Sequence, residues 1–412
     1  MKRAFASRII ILLIIGHIFW LPNANAYSVL THQAIIDAVW ENSLKPLLLK
    51  KYPSATSAQL KEAHAYAYGG ALTPDMGYFP FGSTFYTNLV HYVRSGDFIN
   101  TLILEAADLN EYAFALGALS HYYADKYGHS LGTNRAVPLV YPKTRKHGQT
   151  VTYEEDPVAH TRTEFGFDVL QTARGSYATD AYQDFIGFQV ATGVLERAFQ
   201  KTYGLDIHAV FSNLSLSINT LRWSVRSLFP RITKVAWSKK QNEIKAKQPG
   251  ITARQFKYRM SRKAFYQTYG KEYDRPGLGS RLFSSLITIL PKVGPLRTLK
   301  FDIPGPEAEK LFIQSFDSVA FHYSSALRSM PDQRLMLPNM DYDTGNMTVP
   351  GEYVLADETY ETLLIKLQDN QFRFVTPTLR NDVIRFFHHK AYNQERNTEK
   401  TKTALQQLLI QK

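Results

Sequence analysis

The residues of this chain best suited to chemistry stand in Ala118-Leu-Ser-His121-Tyr-Tyr-Ala-Asp125-Lys-Tyr-Gly-His129. The surrounding segment, roughly 99–128, lacks proline, is rich in Ala and Leu, and carries apolar residues at mixed three- and four-residue spacing, the pattern of a helix. Four residues advance a helix by about 400°, so His121 and Asp125 stack on one face, one turn apart. Neutral imidazole and ionised carboxylate at that spacing suit a shared divalent metal of the zinc kind. Gly128 predicts that the helix ends just before His129. Polar residues lining a helix end would give the same HxxxDxxxH string, so the string alone leaves both readings open.

The elements that would position further ligands are legible in outline. Thr31 reads as the N-cap of an amphipathic helix with Ile35, Ile36, Val39 and Trp40, putting His32 at its first position. A second helix spans about 57–68. It is followed by a Gly/Pro-punctuated loop, 69–80, that carries Asp75. His91 lies near the start of another helix or turn. Residues 130–155 lack periodicity and read as a long loop, a lid or rim. Asp156-Pro157 predicts an N-cap and first-turn proline, opening a helix in which His160 and Glu164 again stand one turn apart. Amphipathic helices are expected at about 179–203 and 206–228. His64, His147, His208, His322, His388 and His389 have no carboxylate at ligand spacing and read as structural or surface groups.

Hydrophobic residues make up 44% of the 412, which excludes a mostly disordered chain. Lys and Arg number 48 against 36 Asp and Glu, and the net charge of +12 favours anionic partners such as phospholipid headgroups, lipopolysaccharide or nucleic acid. Lys2, Arg3 and Arg8 precede an apolar run, Ile9 to Leu21, too short to span a bilayer comfortably, and Ala24-Asn-Ala26 fits a cleavage site. Residues 1–26 therefore read as a secretory signal peptide, with an uncleaved anchor as the alternative. Cleavage would leave Tyr27 as the amino terminus of a secreted or periplasmic protein. With no cysteine, such a chain must be held by its core or by bound metal. Residues 231–274 are dense in Lys and Arg with Trp237, Phe256, Tyr258, Phe265 and Tyr266 interleaved. They read either as an element for anionic membrane surfaces or as a basic linker. The stretch 275–412 mixes helical patterns with Pro/Gly loops and offers no motif tied to chemistry. No GxSxG elbow or phosphate-cradling glycine loop is present, which disfavours covalent catalysis and nucleoside-triphosphate chemistry.

Taken in order, these motifs resemble the zinc-dependent phospholipase C / single-strand-specific nuclease superfamily over about 27–230. They are an amino terminus followed five residues on by His32, the Pro74-Asp75 loop, His91, His121 with Asp125, His129, and His160 with Glu164. The resemblance implies an all-α zinc domain with a mainly helical C-terminal extension, holding up to three zinc ions. It implies one zinc at Asp75, His91, His121 and Asp125, and a second at His129, His160 and Glu164. The third would lie at the Tyr27 amino group and carbonyl, His32 and a bridging Asp125. Asp75 is implied as a ligand or as the general base that orients the attacking water. Tyr27 stands where the family usually has Trp, and the step from Asp125 to His129 is shorter than the usual spacing. The activity implied is attack of zinc-activated water on a phosphodiester, with phospholipid headgroup cleavage foremost. A single-strand nuclease on the same scaffold, with nucleic acid as substrate, and a zinc-stabilised non-catalytic binding protein are the alternatives.

Overall fold

The computed structural model describes residues 29–174, 176–177, 186–247, 300–330, 335–392 and 398–410. The leader 1–26, Tyr27 and the part of the basic segment after Lys247 lie outside them. Regular structure among the described residues is helical, the expected all-α class, apart from one isolated antiparallel bridge between Met340 and Met347.

Helix α1 (Val29–Val39) passes through a π-turn, Trp40–Leu44, into α2 (Lys45–Lys51). Helix α3 (Ser57–Leu72) opens on a capping box in which Thr56 and Gln59 satisfy each other's backbone amides. It does not stop at Gly69, as the sequence predicts. It runs through both glycines to Leu72 and then tightens into a 3₁₀ turn, Thr73–Tyr78. The reason lies across the crossing with α6 (Leu109–Gly128). A Cβ on Gly70 would fall 1.9 Å from the Phe114 carbonyl oxygen, and one on Gly117 2.0 Å from that of Ala67. These glycines serve close helix contact, not chain reversal.

Other expectations are corrected in the same way. The segment 99–128 is two helices, α5 (Ser95–Glu105) and α6, parted where the Asp108 carboxylate accepts the Glu111 amide at 2.8 Å. Gly128 is the last residue of α6, as the sequence predicts, but the chain does not leave helical geometry there. Its φ is −66°, and the chain continues through a π-turn, His129–Thr133, into α7 (Asn134–Val140). The loop expected at 130–155 is thus helical at first, with a 3₁₀ turn at Pro142–His147. Pro138 is tolerated inside α7 because the Asn134 carbonyl it leaves without a helical donor accepts from the Val151 amide at 2.8 Å. His91 closes α4 (Thr84–Tyr92) instead of opening a helix.

Thr31 lies within α1 and is not its cap. Its hydroxyl donates to Asp168 of α8 (Pro157–Arg174) at 2.9 Å. Asp156 does cap α8, accepting the Ala159 amide at 2.9 Å. Of the two long helices expected before 230, the first is α9 (Thr192–Tyr203) within the described residues, which leave out 178–185. The second starts late, as α10 (Leu214–Trp223), and reaches 228 through a π-turn, Ser224–Leu228. A left-handed Gly204 (φ 66°) ends the first.

Helices α11 (Phe229–Lys247), α12 (Pro306–Ser329), α13 (Val354–Asp369), α14 (Pro377–Phe387) and α15 (Glu399–Ile410) follow. The later elements share the core of the earlier ones. Tyr323 of α12 donates to the Leu116 carbonyl at 2.8 Å, and Phe312 stacks on Phe167 with centroids 4.5 Å apart. Within the described part of the basic segment, Lys240 donates to the Phe301 carbonyl and pairs with Glu243 at 3.3 Å, so this lysine serves the fold.

Candidate metal centre

Every sequence-predicted ligand among the described residues is buried: His32, Asp75, His91, His121, Asp125, His129, His160 and Glu164. Six elements deliver them. His32 comes from the first turn of α1, Asp75 from the 3₁₀ turn after α3, and His91 from the last turn of α4. His121 and Asp125 face inward from α6, His129 stands on the π-turn, and His160 and Glu164 lie on α8. Their donor atoms converge in three groups, each within 4.8 Å: His32, His121 and Asp125; Asp75, His91 and His121; His129, His160 and Glu164.

The hydrogen bonds on the far side of each ring fix what faces the centre. His91 Nδ1 bonds the Thr87 carbonyl at 2.9 Å, and His121 Nδ1 bonds that of Ala71 at 2.9 Å. A carbonyl oxygen only accepts, so each Nδ1 carries the proton and each neutral ring presents an Nε2 lone pair inward. Those two Nε2 atoms lie 3.4 Å apart. Asp75 Oδ1 lies 3.3 Å from His91 Nε2, and Asp125 Oδ2 lies 3.0 Å from His121 Nε2 and 3.5 Å from His91 Nε2. His32 Nε2 stands 3.6 Å from Asp125 Oδ1. Among the described residues, no aligned hydrogen bond reaches either oxygen of Asp75 or of Asp125. In the second cluster, Glu164 Oε1 sits 3.2 Å from His129 Nε2 and 3.1 Å from His160 Nε2.

Residues 31–213 match the family model described as zinc dependent phospholipase C. This stretch is a zinc-dependent phospholipase C family domain. Comparisons with curated proteins and with solved structures found no match. All eight described ligand candidates fall inside the family domain, and Tyr27 precedes it.

The zinc that the family implies fits these residues. The donors are imidazole nitrogens and carboxylate oxygens, and the buried oxygens of Asp75 and Asp125 receive no aligned hydrogen bond among the described residues, an arrangement that suits a cation. In the metal-free protein, protons take that place. Burial alone would lower the His91 imidazole, but Asp125 and Asp75 override it and hold it at about 10. Carboxylates likewise raise His121 and His129 against the effect of burial. Burial pushes Glu164 up to about 8, His160 down to about 4, and His32 far down. Burial raises Asp75, whereas His121 and His129 hold Asp125 well below the usual carboxylate range although burial opposes them.

Sequence reasoning missed the groups that orient these ligands. Tyr342 and Asp343, from a stretch without any recognised motif, stand behind His129: its Nδ1 bonds the Tyr342 carbonyl at 3.1 Å and lies 3.7 Å from Asp343 Oδ1. Asp168 holds the start of α1, accepting the Leu30 amide at 3.0 Å. For Asp168 a signal existed, since it continues the four-residue spacing of His160 and Glu164. For Asp343 there was none beyond the turn-forming string Asp341-Tyr-Asp343-Thr-Gly345.

Proposed function

We propose that this protein is an exported zinc-dependent phosphodiesterase that cleaves the headgroup phosphodiester of phospholipids, in the manner of a phospholipase C. The observation that supports this reading is the convergence of two buried carboxylates, Asp75 and Asp125, with the inward Nε2 atoms of His91 and His121, 3.4 Å apart. A closed structural zinc site uses four ligands, and the eight residues gathered here exceed that requirement.

On this reading Asp75, His91, His121 and Asp125 hold one ion, and His129, His160 and Glu164 a second. His32 and Asp125, joined by the Tyr27 amine once the leader is removed, hold a third. Zinc bound there supplies charge for the phosphoryl oxygens and makes water a nucleophile near neutral pH. The chain does the rest. The Thr87 and Ala71 carbonyls hold the His91 and His121 rings so that Nε2, not Nδ1, faces inward. Asp75, whose oxygens receive no aligned hydrogen bond among the described residues, would serve as a ligand or as the carboxylate that orients the attacking water. Without the leader, which carries Lys2, Arg3 and Arg8 and no acid, the net charge of +12 falls to +9, which favours approach to an anionic membrane surface.

The test uses the purified chain beginning at Tyr27. Metal analysis should find two or more tightly held zinc ions. Phosphatidylcholine or phosphatidylethanolamine vesicles should release a phosphorylated headgroup in a reaction that chelator stops. A chain that holds no divalent metal refutes the reading. Hydrolysis of single-stranded DNA or RNA without lipid turnover replaces the substrate with nucleic acid.

A further inference from the structure

The family domain ends at 213, yet the second ligand cluster is not finished there. His129 stands on a π-turn, where one extra residue enters each backbone hydrogen-bond ring. His91 and His121 take their Nδ1 partners from Thr87 and Ala71, inside the domain. His129 takes its own from the chain beyond 300. Its Nδ1 donates to the Tyr342 carbonyl at 3.1 Å, with Asp343 Oδ1 at 3.7 Å. The opposite nitrogen, Nε2, is thereby aimed at Glu164 Oε1, 3.2 Å away.

The carboxylate behind the ring is itself built in. Asp343 is buried, and its Oδ2 accepts the hydroxyls of Tyr92 at 2.8 Å and Tyr353 at 2.6 Å, leaving Oδ1 toward the imidazole. Its backbone is anchored on both sides. The Asn134 side-chain amide donates to the Asp343 carbonyl at 2.7 Å, and the Tyr342 amide donates to the His91 carbonyl at 3.2 Å. Further along, Ser95 exchanges hydrogen bonds with both backbone groups of Met340, at 2.7 and 2.8 Å. Gly345, at φ +74°, fits against the Lys126 carbonyl, which a Cβ would approach to 2.5 Å. The stretch is therefore fixed to α4, α5, α6 and α7 at once.

We infer that Asp343 is a positioning residue for His129, so that the chain around 340–345, outside the family domain, completes the second metal cluster. The inference rests on the reading of His129, His160 and Glu164 as metal ligands. The Tyr342 carbonyl fixes the ring's tautomer, while the Asp343 carboxylate, 3.7 Å from Nδ1, sets a negative charge behind the ring that raises its basicity toward the ion. Removing such a supporting group costs about 10–100-fold in metal affinity. The side chain that would bind the ion and the group that tunes it thus come from stretches far apart in the chain, at 129 and 343.

The experiment measures zinc affinity by chelator competition on the full chain, together with the visible spectrum of the cobalt-substituted protein. Asp343→Asn keeps an acceptor for Tyr92 and Tyr353 but withdraws the charge. It should weaken one zinc by about 10–100-fold, alter one set of cobalt bands and leave the other ions held as before. Asp382→Asn is the control. Asp382 is likewise a buried carboxylate, accepting the Tyr360 hydroxyl at 3.0 Å, and its loss should affect stability alone. If wild type and Asp343→Asn bind every zinc equally and give the same spectrum, the inference is overturned while the metal reading stands. If wild type binds no zinc, both fall together. Should Asp343→Asn fail to fold, Tyr353→Phe removes one hydroxyl and keeps the ring. It should loosen the same ion a few-fold, and unchanged affinity there overturns the inference.

Discussion

Gly70→Ala asks whether the crossing of α3 and α6 sets the metal geometry. In an exposed helix the change is favourable by about 1 kcal/mol. Here the new Cβ meets the Phe114 carbonyl oxygen at 1.9 Å and the Ala118 amide nitrogen at 2.8 Å, both backbone atoms that cannot swing aside. Ordinary contact begins at 3.4 Å, so the two helices must part by about 1.5 Å at this point. Overpacking of this kind costs ~1–3 kcal/mol, and contact with rigid backbone places Gly70 at the upper end. Set against the gain in helix propensity, the net loss should be about 1–2 kcal/mol.

The displacement would fall one residue from Ala71, whose carbonyl holds His121 Nδ1 at 2.9 Å. Adding over an ångström carries that pair beyond hydrogen-bond range and frees the ring to turn. Stability and metal affinity should therefore fall together. Urea unfolding of the metal-free protein reads the first, and chelator competition on the folded protein reads the second. Gly193→Ala in the exposed first turn of α9 is the control. Its nearest neighbours, at 3.2 Å, are the flexible ends of Arg197 and Glu111, so it should be neutral or slightly stabilising. A Gly70→Ala protein as stable as wild type, with unchanged zinc affinity, would refute the account of the crossing.

Asp125→Asn should lose zinc and activity together, because Asp125 faces His32, His91 and His121; Asp108→Asn should lose neither, since Asn caps a helix as well as Asp does. Chains starting at Tyr27 and at Ala26 should differ by one zinc on metal analysis, because an amide cannot replace the amine as a ligand; equal content would remove the amino terminus from the site. Burial, then the neighbouring Asp343, holds the Asp341 carboxyl up at about 7. Folded chain keeps that proton where unfolded chain has lost it, so stability should decline as pH rises from about 4 through 7. In Asp341→Asn that component of the thermal-melt pH profile should vanish, and an unchanged profile would exclude Asp341 as its source.

The sequence showed what was local. His121 with Asp125, and His160 with Glu164, are single helical turns, so their shared face follows from period alone. The cap of α8 at Asp156 was legible for the same reason. What escaped notice depends on partners far along the chain. Gly69 and Gly70 read as a break because a glycine's use as a contact surface shows only once the Gln189 backbone lies against the first and α6 against the second. Gly128 read as a stop, and α6 does end there, but the chain stays helical because a π-turn carries it onward against α12, where a Cβ on Gly132 would fall 2.5 Å from the Ser315 hydroxyl. Pro138 read as loop because Val151, which takes over the carbonyl it strands, lies thirteen residues on. Asp343 bears on His129 only through a fold that brings the two together across 214 positions.

One helix makes the two clusters a single mechanical unit. On α8, His160, Glu164 and Asp168 recur at four-residue steps and share a face. The first two enter the second cluster, where Glu164 lies between His129 and His160. The third leaves that cluster and grips the start of α1, accepting the Leu30 amide at 3.0 Å and the Thr31 hydroxyl at 2.9 Å. His32 is the next residue, so its ring, stacked on His121 with centroids 4.5 Å apart, is placed by the helix that carries Glu164. A shift of α8 along its axis cannot move one cluster and spare the other. Two carboxylates on that helix therefore have different tasks at similar burial. Glu164 presents one oxygen, Oε1, to two imidazoles, whereas Asp168 uses both of its own on backbone and hydroxyl donors and so fixes geometry.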